Sequence, residues 1–159
     1  MLVGISPLDT FTTAATLQSG KGFGLGDRIP ADHDGRAYVY VQASAAIAAG
    51  DFAFFTAAHA AAPLSTANDA RGNLGGVANV AFASGEFGWL QVRGATAVNV
   101  LANAAANTRL NTTATAGKLD DDGTAGSMQV QGVYLTAANG AGTNATACIL
   151  NDPFIDVTI

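Results

Sequence analysis

Two histidines, His33 and His59, are the only imidazoles in the chain, so acid–base work near neutral pH would fall to them first. His33 lies in the polar stretch DHDGR, and His59 lies in AAHAAAP with no carboxylate close by in sequence. Neither falls in a nucleophile or metal spacing such as GxSxG or HExxH. Asp120, Asp121 and Asp122 precede Gly123 and could offer oxygen to a hard cation. They lack the spaced ligands and closing glutamate of a calcium loop, and read instead as a solvated hairpin tip. Glu86 is the one glutamate, so a paired-carboxylate glycosidase would have to recruit aspartates from separate loops. The string GKGFGLG lacks the Gly-Lys-Ser/Thr ending of a phosphate loop. Cys148, alone, excludes an internal disulfide and a cysteine zinc cluster, and reads as a small core residue. No catalytic residue, no metal site and no cofactor is therefore expected, and the chain is not expected to be an enzyme.

Composition narrows the classes further. Only 12% of residues are charged, against about 25% in ordinary soluble proteins. Hydrophobic letters reach 49%, but alanine is the commonest of them. A buried methyl is worth about 0.8 kcal/mol, against roughly 1.5–3 for a Leu, Ile or Phe side chain. The expected core is thin, and the expected surface poorly charged. Both favour a chain that completes its burial against other subunits. With a net charge of −5 and seven scattered Lys plus Arg, no phosphate-tracking stripe exists, and direct nucleic-acid binding is not expected. No stretch has the roughly 20 apolar residues of a membrane span. The opening MLVGISPLDTFTT has neither a basic start nor a long apolar run, which predicts no secretory signal.

The elements follow from a conflict that occurs twice. YVYVQASAAIAAGDFAFF opens with period-two alternation and then runs into alanines, as does WLQVRGATAVNVLANAAANTRL. Isolated helices shorter than roughly 12–15 residues are marginal even when alanine-rich, and these runs carry no amphipathic stripe. Strand pairing on either side is expected to win. Strands at roughly 8–12-residue spacing between Gly, Asn and Asp turns predict an all-β chain, a sandwich or barrel of short antiparallel strands. A shift of 51 residues lays Tyr38–Val41 on Trp89–Val92. GGVANVAFASGEFGWLQV also echoes QGVYLTAANGAGTNATACIL. Two degenerate repeats, 36–88 and 89–152, are expected within a β-domain of residues 36–159.

Residues 1–35 show neither period and read as an extended arm whose glycines alternate with the apolar anchors Phe11, Phe23 and Leu25. On the first strand, Val39 and Val41 face the core. Tyr38, Tyr40 and, on the matching strand, Trp89 take the other face. Aromatics there mean either that a partner covers them or that the chain's own loops do, and the sequence leaves both readings open.

The segments DGRAYVYVQASAAIAAGD, GEFGWLQVRGATAV and TTATAGKLDDDGTAGSMQVQGVYL, followed by NDPFI, resemble the small β-rich decoration proteins of tailed-bacteriophage heads, also called cement or head-stabilisation proteins. The resemblance covers residues 24–154. It implies a structural virion protein on the outer surface of the capsid, a homotrimer that clamps neighbouring major capsid subunits and stabilises the expanded head. Its partners would be the major capsid protein and itself, with Phe11, Phe23, Leu25, Tyr38, Tyr40 and Trp89 as interface residues. Two alternatives come from other classes. Tyr and Trp beside Asn, Asp and Gln suit sugar stacking in a receptor- or glycan-binding β-module of a phage fibre or cell surface. A small hydrolase with an unrecognised site is the other.

Overall fold

The computed structural model describes residues 7–10, 23–30 and 33–159. Among these residues there is no helix, and the ten strands join in one mixed sheet. They are β1 (Arg28–Ile29), β2 (Ala37–Ala43), β3 (Phe52–Phe55), β4 (Ala60–Pro63), β5 (Leu74–Ala78), β6 (Phe87–Val100), β7 (Leu110–Thr112), β8 (Leu119–Asp120), β9 (Met128–Leu135) and β10 (Asn144–Thr158).

The sheet closes on itself twice. β2 pairs with β4, β4 with β3, β3 with β5, β5 with β6, and β6 returns to β2. In the same order β6 pairs with β8, β8 with β7, β7 with β9, β9 with β10, and β10 returns to β6. The first and third strands of each ring are parallel and all other pairs antiparallel. The molecule is therefore two five-stranded rings of one topology that share β6. Closure removes the unpaired edges that an open sheet would present. Two expectations are refined. The antiparallel ladder has two parallel exceptions, and β6 and β10 run for 14 and 15 residues rather than being short.

The alanine runs fold as anticipated. After β2 the chain bends, makes a single bridge from Ile47 to Phe82, and turns at Ala48–Asp51. Beyond Val100 it turns again rather than coiling into a helix. Val39, Val41, Ala43, Ala53, Phe55, Ala61, Ala78, Leu90 and Val92 fill the first ring, with four alanines among them. Val98, Val100, Leu110, Leu119, Val130, Val133, Leu135, Cys148, Leu150 and Ile155 fill the second. The first core is the thin one.

The repeat has a different register from the 51-residue shift. The shift lays Tyr38 on Trp89, whereas in the ladder the two segments are neighbouring strands in which Trp89 pairs with Tyr40 and Tyr38 with Gln91. The first half of β6 closes the first ring, and its second half opens the second. A register shift opposite Ala37, beside the positive-φ Gly94, marks the changeover. A boundary between residues 88 and 89 falls inside the shared strand.

Candidate interaction surface

Tyr38, Tyr40 and Trp89 lie on the outer face of the first ring and are 5%, 1% and 1% exposed. Their cover comes from within the chain. Phe23 packs edge-on against Trp89 with ring centroids 4.8 Å apart, and lies 5.5 Å from Tyr40. Ile29 and Phe87 complete the cluster. The backbone fixes this cover in register: Gly26 N–H donates to Tyr40 O at 2.9 Å, Tyr40 N–H donates to Asp27 O at 2.8 Å, and β1 pairs with Val39 and Tyr38 of β2. Among the described residues, strand structure thus begins at Arg28 rather than Ala37, and Phe23, Gly26 and Asp27 lie against the strands. Of the three expected anchors, Phe23 is seated on the chain's own aromatics. Leu25 is 42% exposed. Phe11 lies outside the described residues.

Arg28 and Arg93 both reach Asp152, at 3.0 and 2.6 Å, tying β1 and β6 to β10. Beside Tyr38, which forms part of its wall, a cleft of about 470 Å³ is lined by Pro7, Leu8, Arg36, Asn79, Gln91 and Thr96. Its floor is a closed polar ladder. Asn79 Nδ2 donates to Gln91 Oε1 at 2.8 Å, Thr96 Oγ1 donates to Asn79 Oδ1 at 3.0 Å, and Gln91 Nε2 donates to the carbonyls of Arg93 and Ala95. Buried polar groups satisfied in this way hold a strand in place and leave little for a ligand to bind.

The groups considered for chemistry are scattered. The His33 side chain is 90% exposed, 3.1 Å from Asp34. His59 sits at a turn with φ 59° and stacks on Phe55 at 5.7 Å. Asp121 accepts a hydrogen bond from Ala105 N–H at 3.0 Å, and Asp120 accepts one from Asp121 N–H at 2.9 Å, so two of these carboxylates shape the turn. Burial pushes the Asp120 carboxyl above its ordinary pKa. Burial likewise pushes the Cys148 thiol up to about 12. Among the described residues no three His, Cys, Asp or Glu side chains come together as ligands for a metal ion, and no helix is long and apolar enough to cross a membrane.

The exposed apolar surface lies elsewhere, on the outer face of β10 and its neighbours. Ile149 of β10 pairs across the ladder with Tyr134 of β9, and they are 47% and 50% exposed. Phe154 of β10 pairs with Leu74 of β5, and they are 40% and 43% exposed. Alternation sets Ile149 outward between the inward Cys148 and Leu150, whereas Phe154 is outward because the irregularity between Leu150 and Phe154 flips the parity and turns Ile155 inward. Ile155 is buried, whereas Val157 and Ile159 are 45% and 47% exposed.

Among known proteins, no family model matches the chain, and no curated protein is similar to it in sequence.

Proposed function

We propose that the chain is a structural virion protein that binds the outer surface of a phage capsid and stabilises the expanded head by clamping neighbouring major capsid subunits, acting as a homotrimer. The observation that carries this reading is the apolar strip of Tyr134, Ile149, Phe154 and Leu74. Two cross-strand pairs of large apolar side chains stand on the outside of a closed ladder, where a monomer gains nothing from them. β10 also suits the task mechanically, since it pairs with β6 and β9 of its own ring and with β5 of the first. A force applied at its outer face is shared by the whole sheet. A ligand that binds only the assembled lattice stabilises it by mass action, with no chemical step. The sugar-stacking alternative has less to stand on, because Tyr38, Tyr40 and Trp89 are buried beneath the chain's own residues.

The test is co-sedimentation of the full chain with expanded heads that lack it, comparing wild type with Ile149→Lys. Wild type should pellet with the heads, and Ile149→Lys should weaken binding at least tenfold while melting as wild type does. Failure of the wild type to bind, or equal binding by both, would overturn the proposal. Binding to a glycan array in place of heads would favour the alternative.

A further inference from the structure

Where the two rings meet, side chains from two separate segments converge on one oxygen of a third. Asp51, immediately before β3, is 4% exposed. Its Oδ1 accepts a hydrogen bond from Asn99 Nδ2 of β6 at 2.7 Å, and the same Oδ1 is the partner of Lys118 Nζ from the turn before β8. Its Oδ2 faces Ala48 N–H at 3.3 Å. Asn99 Nδ2 also donates to Ala49 O at 3.0 Å. The Lys118 side chain is 17% exposed.

The backbone is built around this cluster. Asn99 N–H donates to Gly50 O at 2.7 Å, and Phe52 N–H donates to Gly117 O at 2.9 Å. A Cβ on Gly50 would lie 2.8 Å from Asn99 Oδ1, and one on Gly117 would run into the Asp51 carboxyl. Both glycines have positive φ, so each makes its turn and leaves the space that the cluster occupies.

We propose that Lys118 and Asn99 join in an intramolecular isopeptide bond, with Asp51 relaying the protons. A salt bridge needs only Lys118 and Asp51. The third group is an amide that presents its leaving nitrogen to the carboxylate oxygen already holding the attacking amine, as amide exchange requires. Asp51 takes a proton from the Lys118 ammonium, and the freed Nζ lone pair attacks Asn99 Cγ. In the tetrahedral intermediate, Asp51 delivers its proton to Nδ2 and takes a second one from Nζ. The Cγ–Nδ2 bond breaks, ammonia leaves, and the second proton departs with it as ammonium. One C–N bond forms and one breaks, without oxidant, metal or cofactor. Fixed neighbours react with effective molarities of about 10⁵–10⁸ M, so burial and alignment supply the drive. The bond would fasten β6 to the turn before β8 and close the second ring covalently. This inference does not depend on what the protein binds.

Intact-mass measurement of the full chain tests it, with Lys118→Arg as reference because arginine keeps the cation and cannot form the bond. After correction for the substitution, wild type should be lighter by the mass of one ammonia. Tandem fragmentation should give a branched peptide joining Asn99 to Lys118, and Lys118→Arg should melt at a lower temperature. Asp51→Ala should abolish the mass loss. If that variant does not fold, the wild-type and Lys118→Arg masses still decide. An unmodified wild-type mass overturns the proposal, and so does the loss of one water with a Lys118–Asp51 link.

Discussion

With Trp89 1% exposed and Phe23 edge-on at 4.8 Å, the aromatic cluster is an internal support of the first ring. Trp89→Ala should cost about 3–5 kcal/mol, the usual range for a buried aromatic, as read by denaturant unfolding. Burial of this kind matters most where the remaining core is alanine-rich. His33→Ala should leave both stability and capsid binding near wild type, since the His33 side chain is 90% exposed. Loss of head binding in a folded His33→Ala chain would contradict this. The thiol of Cys148 should be inert to a disulfide reagent at pH 8 until the chain is denatured, because burial holds its pKa at about 12. Asp120 yields a pH prediction. Its folded pKa is raised above the ordinary value of 3.8, so the folded state holds the proton more tightly than the unfolded one. The carboxylate then costs stability as pH rises through that window, and most of that cost is present at neutral pH. Asp120→Asn should raise the melting temperature at pH 7 and lose its advantage below about pH 4. No difference between the two pH values would contradict the assignment.

At the scale of elements, residues 23–30 change what a truncation should do. A chain beginning at residue 23 keeps Phe23, the Gly26–Tyr40 hydrogen bond and β1, and should fold with a melting temperature close to the full chain's. One beginning at Asp32 uncovers Trp89 and Tyr40 and should be destabilised by several degrees, as thermal unfolding would show. Equal melting by both would mean that the segment contributes nothing. This part of the structure was only half legible. Alternation in β2 correctly separated Val39 and Val41 from Tyr38 and Tyr40, because a half-buried strand writes its two faces at period two. It could not say that a two-residue strand would cover the second face, since Arg28–Ile29 is too short to carry a period. The echo of GGVANV in QGVYLT does mark equivalent hairpins, β5–β6 and β9–β10, each closing its ring. The match of Tyr38–Val41 to Trp89–Val92 marks cross-strand neighbours instead, because two facing strands share one composition. Ring closure left no local trace, for pairs such as Leu74 with Phe154 are decided by the whole chain. The convergence of Asp51, Asn99 and Lys118 was invisible for the same reason.

For the whole molecule, two closed rings leave few unpaired edges, so association must use side-chain faces rather than strand addition. A homotrimer in sedimentation at micromolar concentration is the expected state, closed by rotational symmetry. A stable monomer would contradict it. Capsid docking through the outer face of β10 has a direct test in hydrogen exchange, read peptide by peptide on the chain, free and bound to expanded heads. Peptides spanning Tyr134, Ile149–Phe154 and Leu74 should exchange at least tenfold more slowly on the head, while those around Gly85 and Gly140 keep their free rates. Protection confined to other surfaces, or none on binding, would contradict it.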